Sequence, residues 1–159
     1  MKKNTVLSIV ILIGILCYFS ISVLADCPAD PVPDPNAPAN TLYSDLWVSA
    51  GGNSFTSMSS TTTQNRSTCY MRLRWFKFEY YSDCVMPSGN YIYSRLYTLA
   101  LSQASNYASF SGSTSPGNYN YSYKAGYGST NQSYKLKTNS SYSVTGYEVK
   151  FDWSANPHP

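Results

Sequence analysis

Thr68 to Tyr81 is the segment that most constrains the fold. Cys69, Met71, Leu73 and Trp75 fall on one parity, and Arg72 and Arg74 on the other. This is the period-2 alternation of a half-buried strand. From Phe76 the parity inverts: Phe76, Phe78 and Tyr80 become the apolar set, with Lys77 and Glu79 between them. A regular strand keeps its period, so the inversion predicts a β-bulge near Trp75, or a strand buried on both faces there.

Shorter strand patterns flank this one. Leu42, Leu46 and Val48 alternate with Tyr43, Asp45 and Trp47, and Gly51-Gly52-Asn53 then predicts a turn. Residues 54–63 read as a polar return strand. After the turn signal Pro87-Ser88-Gly89-Asn90, a strand is predicted over Tyr91–Leu101, with Ile92 and Leu96 opposite Tyr91, Tyr93 and Tyr97. Residues 102–117 read as loop, with a turn at Ser115–Asn118. Tyr119, Tyr121 and Tyr123 alternate with Asn120, Ser122 and Lys124, Gly128–Asn131 turns the chain, and Tyr134 and Leu136 alternate with Lys135 and Lys137. A last strand is predicted over 141–153, with its parity switching at Gly146, where a bulge would use glycine's access to positive φ. Six to seven strands joined by Gly/Pro/Asn turns predict an all-β domain over 41–154, a single antiparallel β-sandwich or barrel.

The amino terminus predicts export. Lys2 and Lys3 precede an apolar run from Val6 to Leu24, and Val23-Leu24-Ala25 offers a cleavage site. Residues 1–25 therefore read as a signal peptide; if uncleaved, this run is the one membrane contact the chain would make. The remaining 134 residues suffice for one domain. Residues 26–40, DCPADPVPDPNAPAN, hold five prolines and read as an extended tail. Residues 155–159, with the single histidine His158, read as a flexible C-terminus.

Beyond the leader there is one Ile, and only 13 residues are Ile, Leu or Val. Tyr, Phe and Trp must therefore supply much of the core. Trp47, Trp75 and Trp153 are weighed between core and surface, with Trp75 the most firmly placed inside. The same 134 residues carry 9 Lys/Arg against 8 Asp/Glu. This balance excludes a nucleic-acid footprint and attraction to anionic lipid. Arg72 and Arg74, although interleaved with aromatics, read as solvated or paired. Asn65, Asn120, Asn131 and Asn139 begin Asn-x-Ser triplets, about the number expected by chance in so Ser-rich a chain.

Cys27, Cys69 and Cys84 remain after the leader, and export permits one disulfide. A strand from Thr68 to Tyr81 separates its ends by roughly 40 Å. A disulfide tolerates a Cα separation of only about 4.4–6.8 Å. That spacing sets Cys69 apart from Cys84. The start of the strand is expected at the end where the tail enters, so a Cys27–Cys69 pair with Cys84 free is expected, although the tail is long enough to reach the other end as well. No spacing of cysteines fits a metal site, and no motif calls for a cofactor.

His158 is too near the terminus to serve a nucleophile. Carboxylates are the remaining catalytic route: Glu79 with Asp83, or Glu148 with Asp152, as a glycoside-cleaving pair. Against that, Glu79 neighbours Lys77, and Glu148 and Asp152 flank Lys150, so surface charge is the preferred reading. The Tyr119/Tyr121/Tyr123 stripe is the candidate binding face, either an exposed platform or the buried side of a strand.

The segment SYKLKTNSSYSVTGYEVKFDW, residues 133–153, resembles the closing segment of an uncharacterised group of small exported proteins of Gram-positive bacteria. The resemblance spans about residues 117–153. Those proteins carry a signal peptide and are rich in Ser, Thr, Asn and Tyr. In composition the chain is also similar to the short lactococcin-like bacteriocins, and membership there would imply toxicity to neighbouring cells. Neither resemblance assigns a role to any residue.

The expectation is a secreted, non-catalytic protein that binds an extracellular glycan or protein at the cell surface. A bacteriocin-like antagonist and a small carboxylate-dependent hydrolase are the alternatives. The sequence specifies no oligomeric state.

Overall fold

The computed structural model describes residues 34–79, 84, 86–111 and 119–159. The signal peptide, Cys27, Asp83 and the Ser115–Asn118 turn lie outside the described residues. Among the described residues nine strands run in chain order: β1 Leu42–Val48, β2 Asn53–Phe55, β3 Ser60–Thr61, β4 Thr68–Phe78, β5 Ile92–Thr98, β6 Ala108–Phe110, β7 Asn120–Ser122, β8 Ser133–Ser140 and β9 Tyr147–Ser154. They form two antiparallel sheets. One has the order β1-β9-β4-β7; the other has the order β2-β8-β5-β6, with β3 also on β8. The sheets pack face to face as a β-sandwich. The count exceeds the six to seven expected. Residues 54–63 divide between β2 and β3, and β6 lies in a segment read as loop.

The alternation in β1 holds. Ser44, Leu46 and Val48 point inward and Tyr43, Asp45 and Trp47 outward. In β4 the pairing with β9 shifts between Leu73 and Trp75, so Arg74 is the extra residue of a bulge. The bulge resets the parity and turns Phe76 and Phe78 inward. It also turns Trp75 out, where Lys150 Nζ sits 5.0 Å from its ring centroid. The expectation of a buried Trp75 is thus corrected, because Trp75 comes after the extra residue. Trp153 is the core tryptophan. It is fully buried, and its Nε1–H donates to Ser44 Oγ at 2.8 Å.

Aromatic rings fill the space between the sheets as the scarcity of aliphatics requires. Trp153, Tyr134, Tyr147, Phe76, Phe78 and Phe151 are all fully buried there. Tyr134 meets its hydroxyl's needs locally. It accepts from the Gly128 backbone N–H at 2.6 Å and donates to Gln132 Oε1. Gly128 has φ 88°, and a Cβ there would lie 2.1 Å from the Arg66 carbonyl oxygen.

The strand predicted over 141–153 is shorter than expected, because residues 141–146 form the connection between β8 and β9. β8 ends at Ser140, and β9 begins at Tyr147. Gly146 does not adopt positive φ. A Cβ on it would lie 2.7 Å from the Trp47 ring, so close approach explains the glycine.

Both termini of the described chain are docked. Asp34 to Thr41 forms tight turns rather than an extended tail. The Ala37 N–H donates to the Asp34 carbonyl at 3.1 Å, and that of Thr41 to the Pro38 carbonyl at 2.8 Å. Nor do residues 155–159 trail free. Ala155 and Asn156 are buried. The Ala155 N–H donates to Ser60 Oγ at 2.7 Å, and Asn156 Oδ1 accepts from the Thr63 N–H at 3.0 Å. The apolar pattern ends at Trp153, and polar side chains fasten the remaining residues to the sandwich.

Candidate functional site

The Tyr119/Tyr121/Tyr123 stripe does not form an open platform. All three side chains are half-buried. Tyr121 and Tyr123 rest against the core between the sheets. The Tyr123 hydroxyl donates to the Ala155 carbonyl at 2.7 Å, and burial drives its pKa well above the usual tyrosine range. Tyr119 packs edge-on against buried Tyr70 at 5.9 Å and beside the His158 ring at 5.8 Å. Tyr121 and Tyr123 thus face inward at the edge of the sheet, whereas Tyr119 packs outside the core cluster.

The cysteines exchange the expected roles. Cys69 is free and fully buried, its thiol pushed up to about 12 by desolvation. Cys84 is disulfide-bonded, with its partner outside the described residues. The expected Cys27–Cys69 pair is therefore corrected. Cys69 lies on the inward parity of β4, where its Sγ–H donates to the Tyr121 carbonyl at 3.3 Å. The spacing argument holds the two cysteines apart but does not reveal which of them faces inward.

The carboxylates regroup. Asp152 has no exposed surface; Arg72 Nη1 lies 3.4 Å and Arg74 Nε 3.6 Å from its oxygens. It is a structural counter-ion, and the two arginines are paired as their setting suggested. Glu148 sits opposite both Trp47 and Lys77 in register. With Glu79 and Phe78 they line a shallow cavity of about 240 Å³. The structure thus unites one member of each expected pair, Glu79 and Glu148, and separates Glu148 from Asp152 in environment.

The outer face of the five-stranded sheet is a different kind of surface. Residues paired across antiparallel strands project to the same side, so the register defines rows. Asn53, Asn139, Tyr93 and Ser109 form one row. Phe55, Lys137 and Arg95 form the next, and Tyr107, just before β6, extends it. Lys135, Tyr97 and Gln103 form the third. The rings touch one another. Tyr91 stacks on Tyr93 at 5.9 Å, Tyr93 meets Tyr107 at 5.8 Å, and Phe55 meets Tyr97 edge-on at 5.4 Å. Lys137 Nζ caps both Phe55 and Tyr97, at 5.5 and 5.3 Å from their centroids.

Cations dominate this face. Arg95 is 7% exposed, with its guanidinium 3.3 Å from the Tyr107 centroid. Its Nη1 donates to Gln103 Oε1, which also accepts from Lys124 Nζ at 2.8 Å. Two cations thus share one neutral acceptor. Arg95 Nε is buried with no hydrogen-bond partner among the described residues. The described acids, Asp34, Asp45, Glu79, Glu148 and Asp152, all lie outside the strands of this sheet. The four-stranded sheet, by contrast, interleaves its charges: Asp152 with Arg72 and Arg74, and Asp45 with Lys150 at 3.9 Å.

A sequence signal for this face exists. Between Asp83 and Glu148 there is no acidic residue, and the four bases are Arg95, Lys124, Lys135 and Lys137. A balance taken over the whole chain conceals that segregation. The sequence matches no known family model and no curated protein.

Proposed function

We propose that this chain is an exported, non-catalytic β-sandwich that binds an extracellular glycan through the outer face of its five-stranded sheet. The observation that carries the reading is the row Phe55, Lys137, Arg95 and Tyr107, laid across four neighbouring segments of one sheet. Aromatic rings offer flat apolar surface to sugar rings, and Asn53, Asn139, Ser109 and Gln103 offer hydrogen bonds at their margins. A sheet holds these groups at fixed spacing, so little ordering entropy is lost on binding. Export follows from the leader expected over residues 1–25.

A glycan array probed with the native protein and with Tyr93→Ala tests the reading. Selective binding that Tyr93→Ala abolishes supports it; binding that survives both Tyr93→Ala and Tyr107→Ala contradicts it. The Trp47, Glu79 and Glu148 cavity favours one second reading, a small glycoside hydrolase. Release of reducing ends from a bound polymer, lost in Glu148→Gln, would favour that reading instead.

A further inference from the structure

Resting on that reading, we propose that the ligand is an acidic polysaccharide of the polyuronate kind, with carboxylates repeating along its chain. Arg95 supplies the first reason. Its charge is held away from water, 7% exposed, and among the described residues it meets the Gln103 amide oxygen and the face of the Tyr107 ring. Neither carries a formal charge. A cation so placed is weakly screened and projects a positive potential through the face above it.

Lys124, Lys135 and Lys137 are placed around it and are less buried. Lys124 shares the Gln103 acceptor, and Lys137 pairs with Arg95 in register. Lys135 and Lys137 stand two residues apart on one strand face, a spacing of roughly 7 Å. A polymer with a carboxylate on each sugar can meet both lysines at once, whereas a singly charged sugar cannot. No acid on the described strands of this sheet repels such a chain.

Two other polyanions fit less well. A nucleic-acid footprint uses many more phosphate contacts than three lysines supply. An acidic protein would seek an apolar anchoring pocket, and this face is a flat array of hydroxyl-bearing rings and amides.

The test measures binding of the full mature chain to polygalacturonate and to its fully methyl-esterified form, which keeps the sugars and removes the charge. Poly-aspartate and single-stranded DNA serve as competing polyanions. Polygalacturonate should bind, with affinity falling about tenfold from low to high salt. The methyl ester should bind about tenfold more weakly, as should the Lys135→Gln/Lys137→Gln variant toward polygalacturonate. Lys137→Arg should retain binding. Lys124→Gln lies outside the strands, and a loss there repeats the result if the double variant misfolds. Equal binding of the acid and its ester overturns the charge inference and leaves the glycan reading standing. Binding of neither overturns both. Equal or tighter binding of poly-aspartate or DNA overturns the assignment to a polysaccharide.

Discussion

The guanidinium carbon of Arg95 lies over the Tyr107 ring, 3.3 Å from its centroid. The ring belongs to the segment entering β6, and the arginine to β5, so this contact ties the sheet edge to its interior. A desolvated cation–π contact is worth about 2 kcal/mol. Tyr107→Ala should therefore lower the unfolding free energy by about 1–2 kcal/mol in urea titration, and Tyr107→Phe should cost much less. Equal midpoints for the native protein and Tyr107→Ala would show that the ring does not support Arg95.

Asp152 has no exposed surface and faces Arg72 and Arg74, themselves only 20% and 12% exposed. Removing one member of a buried ion pair leaves charge uncompensated and costs about 3–5 kcal/mol. Asp152→Asn should thus unfold at much lower denaturant than Asp45→Asn, whose carboxylate is 62% exposed. Similar losses from the two changes would contradict the burial assigned to Asp152.

The buried Cys69 thiol should resist a thiol reagent at neutral pH and react once the protein is unfolded in guanidinium. Cys84 should appear in a disulfide-linked peptide on non-reducing mapping. In the folded state the Cys69 pKa is raised from 9.0 to about 12 by desolvation. The unfolded chain therefore releases its proton first. This contribution to stability is complete below pH 9.0 and declines as pH rises toward about 12. Cys69→Ala should flatten that alkaline decline. Rapid labelling of Cys69 in the native protein would contradict its placement.

Asp34 and His158 join the two ends of the described chain, with Nε2 and Oδ2 3.1 Å apart. Burial raises the Asp34 pKa, but the Asn36 N–H, the His158 hydrogen bond and the charges of His158 and Arg72 outweigh it and hold the carboxyl below its usual 3.8. A lowered carboxyl pKa contributes stability above the ordinary value and loses it as pH falls through the folded one. The melting midpoint of Asp34→Asn should lie below that of the native protein at neutral pH. The difference should shrink once pH falls below 3.8. A gap that persists unchanged in acid would separate the effect from this carboxyl.

Much of the sandwich is legible in the sequence because side-chain period and turn chemistry are local. The parity break in β4 announces the bulge, and Pro87–Asn90 and Gly128–Asn131 turn where their residues predict. Which side of the bulge Trp75 falls on is set by the single extra residue, Arg74, and the alternation alone leaves that open. β6 is three residues long and owes its existence to its pairing with β5. The docking of Ala155 and Asn156 depends on Ser60 and Thr63, nearly a hundred residues earlier. The tyrosine stripe is visible as a pattern, but its burial depends on β4 and the chain end above it. The cationic face is written as a stretch without acids, and it becomes a surface only when β5 and β8 pair in register.

Binding at the outer face of the five-stranded sheet can be read residue by residue. Isotopically labelled protein is titrated with polygalacturonate, and the backbone amide chemical shifts are followed. Perturbed amides should cluster on β5, on β8, over Gln103–Tyr107 and at Lys124, and leave β1 and β9 unmoved. Perturbations centred on Tyr119–Tyr123 or on the Trp47, Glu79 and Glu148 cavity would contradict the assignment of this face as the binding surface.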